Sequence, residues 1–205
     1  MSGAAIAALV ALGFGVVLVR RRSLAILLVA AQALVLGVGA LTAGGGEGDG
    51  LAVAGAILLV RAAALPALLF AATRRTREPA LVAPTTTMVV RLLLAAAVVA
   101  VAIAAVPPLG LGDRAAEHGA VALLCLGLLA VATRRPAILQ IVGILVAENG
   151  VYLLAISVPG GLPSVVELGV LFDLALVVTV AAAFSRKIHE EVGSGDTDLL
   201  RGLRD

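Results

Sequence analysis

Residues 137–158 read AILQIVGILVAENGVYLLAISV, and Glu148 is the only charged residue among them. An α-helix needs about 20 apolar residues to cross the roughly 30 Å hydrocarbon core of a bilayer, and this stretch has that length. Residues 137–158 therefore predict a membrane-spanning helix.

Runs of the same kind recur along the whole chain. Hydrophobic residues make up 61% of it and charged residues 14%, which is too little polar side-chain surface to coat a water-soluble domain. The sequence predicts seven spans, with no soluble domain left over. They are residues 4–19, 24–41, 51–72, 88–106, 118–133, 137–158 and 163–184.

The spans are expected to be helices, since an open strand in lipid leaves backbone groups unpaired and the runs lack the alternation of a barrel. The predicted fold class is an all-α polytopic membrane protein with seven transmembrane helices. The first span follows no cationic segment and precedes Arg20–Arg22, and later arginines cluster in alternate connections. This charge pattern predicts an N-terminus outside and a C-terminus in the cytoplasm, with the first helix retained.

Composition also limits the functions to consider. The net charge is +2, but nucleic acid is not an expected partner, because the arginines lie in short clusters between apolar runs and aromatic residues make up only 2% of the chain. Cys125 stands alone in an apolar run, and His118 and His189 are predicted at opposite membrane faces, so no metal site is expected. Residues 44–50 resemble a phosphate-binding loop only in glycine content. We expect no cofactor and no chemistry of the polypeptide's own.

Ionisable residues inside the predicted spans are the main functional signal. Each costs about 2.5–3.5 kcal/mol at a helix centre, so those that occur usually face the interior and serve function. Arg91 lies near the cytoplasmic boundary, where its side chain can reach the headgroups, and Glu167 lies about one turn inside the outer boundary. Arg61, Glu148 and Asp173 fall near the midpoints of their spans and therefore at one depth.

Two interpretations of these midplane residues remain open. In the first, Arg61 pairs with one carboxylate, while Asn149 and Gln32 are hydrogen-bonding links between helices. This leaves the second midplane acid unpaired, and an isolated carboxylate in hydrocarbon favours its neutral, protonated form. In the second, Glu148 and Asp173 bind and release protons. We favour the second for the acids and the first for Gln32.

The last part of the chain carries a recognisable pattern. Arg134-Arg135 is followed by a glutamine and glycine motif, then by Glu148-Asn149-Gly150, Glu167 and Asp173. This pattern resembles hydrogenase-4 component E, a membrane subunit of energy-converting nickel–iron hydrogenases related to respiratory complex I. It is also similar to the K subunit of complex I and to the C subunit of multisubunit sodium/proton antiporters. The resemblance extends to Gln32, and to Arg61 with its following Pro66.

The resemblance implies a role, a set of partners and a domain organisation. Glu148, Asp173 and Glu167 would belong to a proton relay through a membrane arm, with Arg61 as a charge partner and Asn149 and Gln32 as supporting groups. Residues 1–133 would form an N-terminal five-helix region, residues 134–187 a K-subunit-like helix pair, and residues 188–205 a cytoplasmic tail. The partners would be antiporter-like and other membrane subunits of an oxidoreductase complex, together with the lipid of a bacterial or archaeal inner membrane.

The chain departs from the family pattern at two places. The family commonly has a lysine where this chain has Arg61, and an arginine does not release its proton under ordinary conditions. Glu148 lies three residues later than the glutamate of the K subunit when the preceding arginines are aligned, a shift of about one helical turn on nearly the same face. Two alternatives remain: a subunit of a cation/proton antiporter or of an NADH–quinone oxidoreductase-like complex, and a structural scaffold of the membrane arm.

Overall fold

The computed structural model describes residues 1–44, 49–75, 87–110, 112–134 and 136–158, together with residues 162, 164, 168 and 169. Six α-helices make up the regular secondary structure of these segments. They are α1 (Gly3–Leu18), α2 (Arg22–Gly44), α3 (Asp49–Arg75), α4 (Met88–Ala105), α5 (Arg114–Thr133) and α6 (Ala137–Ser157).

Helices α2 to α6 are each long and apolar enough to cross a membrane, and α1 is a shorter apolar helix of 16 residues. The described part of the chain therefore has the build of a multi-pass membrane protein, as predicted. The six helices match the first six predicted spans. Of the seventh, residues 163–184, the structure describes only residues 164, 168 and 169, and Glu167 and Asp173 lie outside the described residues. The count of seven and the orientation therefore stay predictions.

Helix α5 begins earlier than its predicted span, which started at His118. Asp113 caps the helix, because its Oδ1 accepts hydrogen bonds from the backbone N–H groups of Ala115 (3.0 Å) and Ala116 (3.2 Å). The cap draws Glu117 into the first turn of α5. The predicted span therefore began four residues too late, and Glu117 lies within the helix rather than before it.

The helices associate in two tight pairs joined by α1. Helix α2 packs along α3, and α5 packs along α6, while α1 contacts α2 and α5. Helix α6 also packs on α2 and meets α3 over a narrow contact, and α4 lies against α5 and α1. This arrangement brings the middle of α6 to the region where α2 and α3 meet.

Glycines allow α5 and α6 to approach to backbone contact. A Cβ atom on Gly127 would collide with the backbone nitrogen of Ala147 and lie 2.5 Å from the carbonyl oxygen of Gly143. A Cβ atom on Gly150 would lie 2.7 Å from the carbonyl oxygen of Ala120. In lipid, where helix association depends on van der Waals packing rather than on the hydrophobic effect, such small-residue contacts are what hold helices together.

Arg134, which follows α5 directly, closes the C-terminal end of α1. Its Nη2 donates to the carbonyl oxygens of Val16 (3.3 Å), Val17 (2.5 Å) and Val19 (2.7 Å). These carbonyls have no partner within their own helix, and a cation there also opposes the negative end of the helix dipole. Burial and, secondarily, the charge of Arg91 lower the pKa of Arg134 to about 10, so the guanidinium remains charged near neutral pH.

We expect Gly127→Val to separate α5 from α6 and to destabilise the protein strongly. Overpacking a well-packed contact costs about 1–3 kcal/mol, and the colliding atoms here belong to backbone, which cannot turn aside. The measurement is the melting temperature of the detergent-solubilised chain. Gly3→Ala is the control, because a Cβ atom there meets nothing within 4 Å. Equal melting temperatures for the two variants would contradict the packing.

Candidate functional site

Arg61 lies in the middle of α3 and points into the helix bundle. Its side chain is 4% exposed, and neighbours on the same helix, Leu58 and Ala62, are also buried. A guanidinium in apolar surroundings requires opposite charge and acceptors for its N–H groups, because losing water without replacement costs several kcal/mol. The side chains that meet these needs come from α6.

Glu148 supplies the opposite charge. The Nη2 atom of Arg61 lies 2.7 Å from Oε2 of Glu148, and the carboxylate side chain is 11% exposed. The short distance and the low exposure describe a charge-assisted hydrogen bond inside the protein, which is stronger than an ion pair in water. The structure therefore joins two of the three midplane residues that the sequence singled out.

Asn149 and Gln32 extend the site to the other helices. Arg61 Nη1 donates to Asn149 Oδ1 (3.0 Å), and Asn149 Nδ2 donates to Gln32 Oε1 (3.2 Å). Gln32 Nε2 in turn donates to the carbonyl oxygen of Leu9 in α1 (2.9 Å). One continuous chain of hydrogen bonds thus links α1, α2, α6 and α3, and both amide side chains are fully buried.

The direction of this hydrogen-bond chain is fixed at both ends. Arg61 can only donate, so the oxygen of Asn149 must face it, and the Leu9 carbonyl can only accept, so the nitrogen of Gln32 must face that end. The donor at one end and the acceptor at the other therefore determine which side of each amide carries the oxygen and which carries the nitrogen. Each amide accepts on the side towards Arg61 and donates on the side towards Leu9.

Gly13 gives Gln32 access to α1. It lies one turn after Leu9, and a Cβ atom there would lie 3.4 Å from Gln32 Nε2 and 3.1 Å from side-chain atoms of Leu123 and Leu126. A larger residue at position 13 would crowd the amide and the α5 contact at once. The absence of a side chain leaves the Leu9 carbonyl open to a second donor.

Tyr152 completes the site, and the sequence analysis missed it. Its hydroxyl donates a hydrogen bond to Glu148 Oε1, and its ring lies under the Arg61 guanidinium with 4.8 Å between Cζ and the ring centroid. The distance is within the range of a cation–π contact. The signal was present in the sequence, because residues four apart share a helix face and Tyr152 lies four residues after Glu148.

The other predicted site residues have different placements. Glu167 and Asp173 lie outside the described residues, so their roles stay predictions. Arg91 is 6% exposed and is thus covered by protein, where the sequence indicated a side chain reaching towards the headgroups. The position alone could not show that neighbouring helices enclose it.

Glu117 is a buried acid at the opposite end of α5 from Arg134. It is 5% exposed, and its Oε2 accepts a hydrogen bond from the backbone N–H of Leu109 (3.1 Å). The bond ties the 107–109 segment to the first turn of α5. Across the segments that the structure describes, no group of three or more histidine, cysteine, aspartate and glutamate residues could hold a metal ion.

Comparison with known proteins finds distant relatives. The chain is 31% identical over 97 residues to hydrogenase-4 component E of Escherichia coli K12, which covers 47% of this chain and 45% of that protein. The same values hold for hydrogenase-4 component E of Shigella flexneri. Uncharacterized protein Rv0085 of Mycobacterium tuberculosis is 33% identical over 90 residues, or 44% of this chain and 41% of that protein.

These similarities are partial. The chain spans less than half the length of the curated relatives that it matches. No protein-family model matches the chain, and the solved structures contain no significant match.

We expect Arg61→Leu to destabilise the protein by about 3–5 kcal/mol, because it leaves Glu148 as a buried charge without its cation. The double variant Arg61→Leu, Glu148→Leu should be more stable than Arg61→Leu alone, since it removes both charges. Thermal unfolding of the solubilised chain measures both. A double variant less stable than either single variant would show that the two side chains do not act as a pair.

Proposed function

We propose that this chain is a membrane subunit of a complex I-like, hydrogenase-4-type assembly, in which its buried acids take part in proton translocation coupled to electron transfer. The observation that carries the proposal is the ion pair between Glu148 and Arg61 inside a bundle of membrane-length helices. The distant similarity to hydrogenase-4 component E supports the type of assembly. Redox chemistry would belong to partner subunits.

An acid in this setting is suited to carry a proton. Glu148 is held among apolar helices. There the free-energy difference between its charged and neutral forms is large and depends on the nearby cation Arg61. A small displacement of Glu148 relative to that cation, driven by a partner subunit, would change whether the acid holds a proton. This is the coupling that a proton-translocating membrane arm requires.

Arg61 would serve as the fixed charge in this scheme rather than as a carrier. A guanidinium stays protonated in proteins, and the amides of Asn149 and Gln32 do not release protons either. The hydrogen-bond chain from Arg61 to Leu9 therefore holds the cation in place instead of conducting. Protons would reach and leave Glu148 on the side away from the amides.

The remaining parts of the proposal rest on the sequence pattern. Asp173, with Glu167, would provide the second carrier, as the resemblance to the K and C subunits implies. The N-terminus would lie outside and the C-terminus in the cytoplasm of a bacterial or archaeal cell, in keeping with the arginine clusters. Antiporter-like membrane subunits would be the partners.

The competing function is a structural scaffold. The observation that supports it is the hydrogen-bond chain, which joins four helices. The two functions differ in what they require of Glu148. A scaffold needs only a hydrogen-bonding group of that size, whereas a carrier needs a group that binds and releases a proton.

In the assembled complex, we expect Glu148→Gln with Asp173→Asn to abolish most proton uptake while the subunits still associate. The amides keep the size and hydrogen bonding of the acids but cannot titrate. The measurement is proton uptake by sealed vesicles during electron flow. Glu117→Gln is the matched control, since it neutralises a buried acid at a helix end, away from Arg61.

Full proton uptake by the assembled double variant would reject the proposal in favour of the scaffold. Loss of uptake in Glu117→Gln as well would show that any buried acid in this chain is needed for assembly or activity. Mass spectrometry of the purified complex identifies the partners, and an antiporter would contain no hydrogenase-like large subunit.

The orientation has its own test. In a Cys125→Ser background, a cysteine replacing Gly46 should react with an impermeant thiol reagent only from outside, and one replacing Thr76 only from the cytoplasm. The connections that hold these residues have opposite charge character, acidic for the first and arginine-rich for the second. Labelling from the reverse sides would invert the orientation.

A further inference from the structure

Tyr152 has a contact that packing alone does not require. Its side chain is almost fully buried at 1% exposure, and its hydroxyl meets one oxygen of Glu148 while Arg61 holds the other. Side chains in a helix lean back towards the preceding turn, which places a tyrosine at the fourth following position over the glutamate. Both the ring and the hydroxyl are therefore directed at the ion pair.

The groups around Glu148 differ in whether they can exchange a proton. Arg61 and Asn149 cannot, because neither releases a proton under ordinary conditions. A phenol hydroxyl can give its proton to one partner and accept another at the same oxygen. Given the proposed function, we propose that Tyr152 is the immediate proton-exchange partner of Glu148.

The exchange moves one proton from a hydronium ion to Glu148 through the hydroxyl of Tyr152. The Oη–H bond of Tyr152 breaks as an O–H bond forms at Glu148 Oε1, while Oη takes a proton from a hydronium ion, which becomes water. Tyr152 is neutral before and after the step, Glu148 changes from carboxylate to carboxylic acid, and the reverse sequence discharges it. Glu148 Oε1 already accepts a hydrogen bond from this hydroxyl, which is the geometry that proton transfer requires.

The ring of Tyr152 serves the other half of the cycle. Once Glu148 is neutral, Arg61 loses its counter-charge but keeps the negative face of the ring, 4.8 Å from Cζ, and the oxygen of Asn149. These contacts hold the guanidinium near the acid. The phenol thus provides both an exchangeable proton and a cation–π contact for Arg61.

Two substitutions in the assembled complex test the proposal. Tyr152→Phe retains the ring and removes the hydroxyl, and we expect it to slow proton uptake by sealed vesicles at least about tenfold with normal assembly. A fluorotyrosine installed at position 152 retains both the ring and the hydroxyl but is more acidic. We expect it to move the alkaline limb of the pH profile of uptake to lower pH, which a purely structural hydroxyl would not do.

The outcomes separate this inference from the proposed function. Slow uptake in both Tyr152→Phe and Glu148→Gln supports the exchange. Normal uptake in Tyr152→Phe, or an unchanged pH profile with fluorotyrosine, alongside slow uptake in Glu148→Gln overturns the exchange and leaves the proposed function standing. Normal uptake in Glu148→Gln alone overturns the exchange, and normal uptake in the Glu148→Gln, Asp173→Asn double variant rejects the proposed function itself.

The isolated full-length chain offers a second measurement. The sequence contains one tyrosine and no tryptophan, so its intrinsic emission comes from Tyr152 alone. We expect this emission to change with pH as Glu148 gains a proton, and Glu148→Gln to remove that change. A pH response that survives in Glu148→Gln would show that the hydroxyl does not sense the charge of Glu148, and would overturn the exchange.

Discussion

A guanidinium in the middle of a membrane-length helix is the constraint on which the site depends. Arg61 cannot shed its charge, so every group around it must either oppose that charge or accept one of its hydrogens. Glu148 and Asn149 do this from adjacent positions of α6, and the ring of Tyr152 lies against the guanidinium. The contact between α6 and α3 is small. These side-chain interactions nevertheless require the two helices to lie within reach of one another.

The two sides of the guanidinium have different properties. On one side, the amides of Asn149 and Gln32 link α3 to α1 by hydrogen bonds that all run in one direction. Neither amide can change its protonation state. On the other side, a carboxylate and a phenol can both change theirs. Arg61 thus separates a half of the site that only holds hydrogen bonds from a half whose groups can change their protonation state.

Much of the fold follows from the sequence, because membrane thickness sets the length of each apolar run. Six helices fall where these runs predicted them. The common depth of Arg61, Glu148 and Asp173 predicted that Arg61 pairs with one of the two acids, and the structure shows Glu148 as a partner. Tyr152 escaped notice since an aromatic residue in an apolar run looks like packing. The start of α5 was placed four residues late because the hydrogen bonds by which Asp113 caps the helix become visible only in three dimensions. Which helices lie side by side was beyond prediction, since backbone contacts such as that of Gly127 depend on the fit of two surfaces.

The two residues of the ion pair are synthesised at different times. Arg61 and Glu148 are 87 residues apart, so at about 5–20 residues per second the ribosome adds the acid roughly 4–17 s after the arginine. For most of that interval α3 is complete while the acid of α6 has not been made, and a guanidinium without its counter-charge is costly to place in lipid. The charge of Arg61 can therefore be offset by Glu148 only after much of the sixth helix has been translated.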